Sequence, residues 1–254
     1  MPGFRAAIDI PASVDEPSWV ITVEHARMDR PDSGFDGHDG VVASHWGWDP
    51  GAEAVARAVA ALTGWPVVLA GFSRLLADPN RAPQSPELSR READGYSIQW
   101  NAPTALGTVP GPDRMMSFYE PFHACVHAML QRHPSAGILS IHSFTPVYLG
   151  KPRTLDIGVL FDHDEALAVD MLEQLQAAAP EAQIAYNEPY SGKNGLMYSP
   201  HLHATRSGRP AVELEIRQDL ATDHTTRCMW SRHIAAAAAW SAARLSSRRR
   251  QRQT

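Results

Sequence analysis

The sequence predicts an α/β protein in which a mixed, largely parallel β-sheet is flanked by helices. Four short apolar runs are the predicted strands that define this class: residues 19–23, 65–70, 138–141 and 156–160. The segments between them carry apolar residues at helical spacing, as expected when helices connect parallel strands. Polar residues follow directly after several of the strands, at the place where open α/β sheets bind ligands. We therefore expect a functional site at the carboxyl edge of the sheet.

Length and composition predict one large domain. The chain has 254 residues, 44% of them hydrophobic, so we expect a single domain with its core at 18–245 and a disordered basic tail at 246–254. A net charge of −5 argues against nucleic acid as a partner. The two cysteines, Cys125 and Cys228, lie too far apart to suggest a metal clip or a disulfide framework. No 18-residue apolar run and no leader pattern occur, which predicts a cytoplasmic protein without membrane contact; the sequence does not indicate an oligomeric state.

The first strong strand, residues 19–23, runs directly into Glu24 and His25. It is followed by a turn-rich stretch at 29–40, which places the histidine at the carboxyl end of the strand. A Glu-His pair at this position is more often a salt bridge or cap at the end of a strand than a metal ligand.

The first long helix is predicted after Pro50. Asp49 has the residue type and the position of an N-cap, with proline at the first helical position. The apolar stripe of this helix is formed by Val55, Val59 and Leu62. The simplest interpretation of Asp49 is therefore a helix cap, and the alternative is that Asp49 or His45 faces a site.

The next strand, 65–70, leads into Arg74 and the run Asp78-Pro79-Asn80-Arg81. Arginine suits carboxylate binding because its planar fork donates two parallel hydrogen bonds. The alternative is a pair of surface arginines in a loop. Residues 82–111 form a long predicted loop with a short helical start near 86–88.

A further helix is predicted over residues 115–133. His123 and His127 are four residues apart on it, as in a helical metal pair, but the glutamate of the HExxH pattern is missing. We expect His123 to orient substrate or a loop instead. The later predicted elements are a helix at 164–179, a strand at 183–186, a turn at 187–192 and an alanine-rich helix from Ser231.

Two strands carry the strongest chemical signals. The first, 138–141, is interrupted by His142-Ser143, where an isolated histidine is more often a hydrogen-bonded core residue than a catalytic one. The second, 211–220, alternates between two sets of side chains: Val212, Leu214 and Ile216 on one face, and Glu213, Glu215 and Arg217 on the other. Three charges are costly to bury unpaired, so this strand is either a solvent-facing edge or part of a site.

Taken in order, these segments resemble the signature blocks of the N-formylglutamate amidohydrolase family. The blocks are VEHA at 23–26, His45 with Asp49, Gly51 and Ala52, Arg74 with DPNR at 78–81, YEPFH at 119–123, HSFTP at 142–146, DIGVL at 156–160, NEPYS at 187–191 and AVELEIRQDL at 211–220. Arg27 stands where the family often has serine. The resemblance covers nearly the whole chain, from about 19 to 220.

The resemblance implies a zinc-exopeptidase-like (phosphorylase/hydrolase-like) architecture and hydrolysis of the amide of an N-acyl amino acid such as N-formylglutamate. It implies one zinc ion held by His25, His142 and a carboxylate, either Asp49 or Glu24. Glu215 would be the general base, with Glu213 or Glu24 next in line. The implied substrate-binding residues are Arg74, Asn80, Arg81, Arg153, Tyr190 and Arg217. Arg217 would also keep the Glu215 carboxylate ionised. Alternatives are a metallopeptidase or amidase of small peptides or cell-wall fragments, and a metal-free binding relative.

Overall fold

One seven-stranded sheet forms the centre of the protein in a computed structural model that describes residues 5–31, 35, 37–102 and 112–251. Its strands are β1 (Ala7–Ile10), β2 (Trp19–Val23), β3 (Val67–Ala70), β6 (Gly137–Phe144), β9 (Ile157–Leu160), β10 (Ile184–Tyr186) and β11 (Ala211–Arg217). Two small hairpins pair β4 (Glu92–Ala93) with β5 (Tyr96–Ser97) and β7 (Val147–Tyr148) with β8 (Lys151–Pro152). The order across the sheet is β1-β3-β2-β6-β11-β9-β10, and only the β1–β3 and β9–β11 pairs are antiparallel. The α/β class and the mixed, largely parallel sheet are confirmed.

Helices cover both faces of this sheet. They are α1 (Asp39–Val42), α2 (Ala52–Thr63), α3 (Pro112–Arg114), α4 (Glu120–Arg132), α5 (Glu165–Ala178), α6 (Tyr198–Ser207), α7 (Gln218–Thr222) and α8 (His224–Gln251), with short 3-10 turns at Gln99–Asn101 and Gly192–Asn194. On one face α2, α5 and α8 pack through residues such as Val55, Met171 and Ile234. On the other, α4 packs through Phe122 and Val126. Among the described helices, none is both long and apolar enough to span a membrane.

Strand β11 lies in the middle of the sheet, between β6 and β9, and the alternative of a solvent-facing edge strand is wrong. Its apolar residues join the core shared with α2, α5 and α8: Val212, Leu214 and Ile216. Alternation then places Glu213 and Glu215 on the opposite face, where both are buried. Two buried carboxylates in a central strand need a compensating environment.

The predicted helix cap at Asp49 is also wrong. Helix α2 begins at Ala52, and its N-cap is Gly51, which has a φ of 88°. A Cβ at Gly51 would lie 2.6 Å from the backbone carbon of Ala221, so only glycine permits this close approach. The Asp49 carboxylate therefore turns away from the helix and towards the edge of the sheet.

Three other local predictions need correction. Residues 86–88 form turns rather than a helical start, and within the predicted long loop residues 103–111 lie outside the described part of the chain. The helix predicted at 115–133 is present, and the correction concerns its type: it begins as a π-helical turn, Met115–Tyr119, and α4 continues it. Leu62 is 55% exposed and does not share the buried stripe of α2.

The disordered tail predicted at 246–254 is wrong for the part that the structure describes. Helix α8 begins at His224, earlier than predicted, and continues to Gln251. Arg248 anchors this end, because its Nη1 lies 2.9 Å from Oδ2 of the buried Asp170 in α5. The alanine-rich sequence before it adds high helix propensity. The last three residues lie outside the described part of the chain.

Candidate metal centre and active site

Two histidines and one aspartate meet at the carboxyl ends of the neighbouring parallel strands β2 and β6. His25 follows β2, His142 lies near the end of β6, and Asp49 lies just before α2. Both imidazoles direct Nδ1 at the same carboxylate oxygen, Asp49 Oδ2, at 3.3 Å from His25 and 2.7 Å from His142. The two ring centroids are 4.6 Å apart, and the rings are nearly perpendicular. Two imidazole nitrogens and one carboxylate oxygen, all of types that bind metal ions, thus lie within 4.8 Å of one another.

The opposite nitrogen of each imidazole is held by a second carboxylate. His25 Nε2 lies 2.7 Å from Asp78 Oδ1, and His142 Nε2 lies 3.1 Å from Glu24 Oε2. Ser140 Oγ donates to the same Glu24 oxygen at 2.7 Å. Histidine ligands of metal ions commonly have such an outer carboxylate, which fixes the ring orientation and raises the basicity of the ligand nitrogen. Glu24 thus lies behind His142, and this geometry favours Asp49 over Glu24 as the third ligand.

Negative charge exceeds positive charge around the two imidazoles. Five carboxyl groups are buried there, from Glu24, Asp49, Asp78, Glu213 and Glu215. Arg74 contacts two of these carboxylates, with its Nη2 2.6 Å from Asp78 Oδ2 and its Nη1 3.7 Å from Asp49 Oδ1. Buried like charges of this density require a cation or bound protons. Two imidazole nitrogens and a carboxylate oxygen, surrounded by this excess charge, fit a zinc ion.

The ionisable groups of the cluster influence one another strongly. Burial alone would lower the pKa of His142, but Glu213, Asp49 and Glu24 together raise this pKa well above its ordinary value. Burial alone would raise the pKa of Glu24, but hydrogen bonding and charge attraction from His142 and hydrogen bonds from neighbouring hydroxyls lower it to about 2. The pKa of Asp49 is lowered as well, because His25 and His142 outweigh the cost of burial. Without a metal ion the His142 imidazole is therefore the group of this cluster that holds an additional proton.

Glu215 is placed beside the cluster by strand register. It is the direct partner of His142 in the parallel β6–β11 ladder, and its carboxylate lines the same cavity. Burial, and then the negative charges of Asp49 and Glu213, raise the pKa of Glu215 well above its ordinary range against the attraction of His142. Its Oε2 is buried and has no hydrogen-bond partner in the described part of the chain. Glu215 thus presents an unengaged acceptor whose proton affinity is raised.

The expectation that Arg217 holds Glu215 ionised is wrong. The guanidinium of Arg217 points to the end of β11, with Nη1 2.8 Å from Asp156 Oδ1 and Nε 2.7 Å from Asp219 Oδ1. The arginine that acts on Glu215 is Arg74. Because Arg217 ends its strand and turns to neighbouring loops, it does not line the cavity.

A cavity of about 170 Å³ opens above the cluster and contains most of the predicted site residues. Its wall includes His25, Asp49, Arg74, Asn80, Arg81, His142, Tyr190 and Glu215. Arg153 lies behind this wall, where its guanidinium stacks on Tyr148 at 4.7 Å and on Tyr190 at 5.4 Å from the ring centroids. The sequence thus identified much of the cavity, although Arg153 contacts its aromatic lining rather than its interior.

Asn80 and Arg81 have different roles in the geometry. Asn80 Oδ1 accepts a hydrogen bond from the Ser199 backbone at 2.9 Å, and its Nδ2 donates to Glu213 Oε2 at 3.3 Å. Asn80 therefore fixes its loop against α6 and β11. Arg81 donates to the carbonyl of Asn80 at 2.8 Å through Nη1 and faces the cavity. In the part of the chain that the structure describes, this is the one hydrogen bond of the Arg81 guanidinium, so its other donors are available to a ligand in the cavity.

Several residues that line or support the cavity were missed from sequence. Trp46 and Arg90 form a cation–π pair at 4.7 Å on one wall, and Asp78 is the outer partner of His25. The Asp-Pro-Asn-Arg run indicated that Asp78 lies near the site. Its hydrogen bond to His25 could not be predicted from spacing along the chain. His123 lies outside the cavity lining and pairs instead with the buried His203, Nδ1 to Nε2, at 3.0 Å.

An α/β enzyme with a candidate metal site at the carboxyl edge of its sheet is the class of protein that this fold and buried cluster define. Comparison with known families gives the kind of enzyme. The model of the N-formylglutamate amidohydrolase family matches residues 18–222, which is most of the chain. The chain belongs to the N-formylglutamate amidohydrolase family and is a hydrolase acting on C–N bonds other than peptide bonds.

Solved structures show the same fold. A gene product of Agrobacterium tumefaciens is 29% identical, with a TM-score of 0.86 over 95% of this chain and 96% of that one. The N-formylglutamate amidohydrolase of Ralstonia eutropha JMP134 is 18% identical, with a TM-score of 0.63 over 95% of this chain and 98% of that one. No curated protein matches the chain.

Proposed function

We propose that the chain is a zinc-dependent amidohydrolase that cleaves the N-formyl or N-acyl amide of an amino acid such as N-formylglutamate. The observation that carries this proposal is the convergence of two imidazole Nδ1 atoms on Asp49, beside the unpartnered carboxylate of Glu215, in one cavity. A net charge of −5 further favours a small-molecule substrate over nucleic acid.

The residues divide into a metal-holding set and a proton-transferring group. His25, Asp49 and His142 would hold one zinc ion, with Glu24 and Asp78 orienting the imidazoles. Zinc bound there supplies Lewis acidity that polarises an amide carbonyl and makes water nucleophilic near neutral pH. Glu215 takes the proton of the attacking water and returns it to the leaving amine. In the metal-free site, burial raises the pKa of Glu215, and a raised pKa makes a carboxylate a stronger base.

Substrate recognition in this proposal rests on the cationic wall of the cavity. Arg81 binds the substrate carboxylate, while Arg74 adds positive charge although Asp78 already occupies part of its guanidinium. Tyr190 contacts the substrate, and Arg153 supports it by stacking on its ring. Arg217 has no part in this proposal, because its donors are already bound to Asp156 and Asp219.

The test combines metal analysis with a substrate panel. Purified protein is assayed for zinc, then for hydrolysis of N-formyl and N-acetyl amino acids, a neutral amide and a small peptide. The assay is repeated after chelation and after zinc is restored. We expect about one zinc in the cavity site, activity on an N-acyl amino acid, loss on chelation and recovery with zinc.

Each part of the proposal can fail separately in this experiment. Full activity in metal-free protein would refute the zinc dependence. Zinc-dependent cleavage of only the peptide or the neutral amide would refute the proposed substrate class. The proposal of a zinc-dependent hydrolase would still hold.

A further inference from the structure

A second cluster of metal-binding side chain types lies outside the cavity. Asp162 and His163 follow β9, and His201 lies in the first turns of α6. His201 Nδ1 is 2.7 Å from Asp162 Oδ2, and His163 Nε2 is 3.4 Å from the same oxygen. The two ring centroids are 5.5 Å apart. Two imidazole nitrogens therefore converge on one carboxylate oxygen.

This arrangement matches that of the buried cluster. There the two imidazole nitrogens lie 2.7 and 3.3 Å from one oxygen of Asp49, against 2.7 and 3.4 Å at Asp162. The donor set, two imidazoles and one carboxylate, is also the same. The two clusters differ in burial and in one ring nitrogen: His163 offers Nε2 and is exposed, and the other two residues are intermediate.

Strand direction places this cluster at the opposite edge of the sheet from the cavity. Strand β9 runs antiparallel to β11, with Leu160 opposite Glu213, so residues after Leu160 continue towards the start of β11. Consistent with this, the backbone N–H of Ala211 donates to Asp164 Oδ2 at 2.9 Å. The cavity residue Glu215 lies further along β11. The second cluster is therefore a separate feature and not an extension of the active site.

The loop that carries Asp162 and His163 is held in place on both sides. Before it, the backbone N–H of Phe161 donates to Asn187 Oδ1 at 3.1 Å, and the Phe161 side chain is buried. After it, Asp164 accepts the hydrogen bond from β11. Ligands on a loop fixed in this way lose little conformational entropy when they bind an ion.

We propose that Asp162, His163 and His201 form a second, exchangeable site for a d-block divalent cation such as zinc. The ion clips the β9–α5 loop to α6 and leaves at least one coordination position to water, since zinc takes four ligands or more. In the part of the chain that the structure describes, neither histidine has an outer carboxylate on its other ring nitrogen. Zinc in this site is consequently held more weakly than zinc between His25 and His142.

Equilibrium dialysis of the full-length protein against buffered zinc tests the proposal. The variants are His201→Gln and Asp162→Asn, and the matched control is His127→Gln, which removes an exposed histidine from α4. Wild type and control are expected to bind one more zinc ion per chain than the two cluster variants do. The thermal midpoint should also rise with zinc in wild type and control, beyond any rise seen in the cluster variants.

The comparison depends on differences between variants, so it stands whether or not the buried cluster is a zinc site. The proposal is overturned if wild type and both cluster variants bind equal amounts of zinc. It is likewise overturned if the control loses an equivalent as the cluster variants do, because uptake would then follow surface histidines in general.

Discussion

Replacing Glu213 with glutamine should stabilise the metal-free protein, and the gain should grow with pH. Burial raises the pKa of Glu213 from 4.5 to about 7, against the attraction of His142. The folded state thus binds this proton more tightly than the unfolded chain does, so wild type loses stability as pH rises through this interval. The rise in this pKa from 4.5 to about 7 corresponds to about 3 kcal/mol of unfolding free energy. Glutamine resembles the protonated carboxyl group and does not ionise, so the variant does not lose stability as pH rises.

Urea unfolding of chelator-treated protein between about pH 4.5 and 8 measures this effect. The free energies of wild type and Glu213→Gln should coincide at the acidic end and differ by up to about 3 kcal/mol, in favour of the variant, at the alkaline end. Glu181→Gln, at an exposed position, is the matched control and should follow wild type throughout. A pH-independent difference, or a variant that becomes relatively less stable as pH rises, would refute the reasoning.

Three further predictions concern the proposed activity. His142→Ala removes a ligand and should abolish zinc binding in the cavity, as measured by metal analysis; full retention there would end the assignment. Glu215→Gln should keep zinc, because it is not a ligand, yet lower turnover about 100-fold or more in steady-state kinetics, because the general base is lost; unchanged turnover would exclude Glu215 as the base. Arg81→Lys keeps the charge but loses the fork, so an N-acyl amino acid should lose binding worth roughly 1.5–3 kcal/mol per hydrogen bond. The KM of a neutral amide, measured in parallel, should be almost unchanged. An equal rise in KM for the N-acyl amino acid and the neutral amide would make Arg81 a structural residue.

Strand positions were predictable because burial on both faces leaves runs dominated by apolar residues, as in β2 and the first half of β6. The alternation in β11 likewise revealed which side chains share a face. Its neighbours in the sheet were not predictable, because periodicity is a local property and strand order depends on contacts between distant segments. Local periodicity therefore does not distinguish an edge strand from a central one.

The site shows the same limit at the level of single residues. Asp49 followed the local rule for a helix cap, but Gly51 against Ala221 displaces the start of α2. Arg217 is near Glu215 in sequence, whereas Arg74, from a different loop, is the arginine that acts on it. In each case a tertiary contact determines the role, and spacing along the chain does not encode that contact.

Asp49 Oδ2 accepts from both imidazoles, and this has a consequence for how metal is acquired. In the metal-free protein, hydrogen bonds already hold the three side chains together, so the pocket does not need to assemble around an incoming ion. The ion must instead displace the protons on the imidazole nitrogens that make these hydrogen bonds. Metal uptake is thus an exchange reaction, and acidification shifts the exchange back towards the proton-filled state.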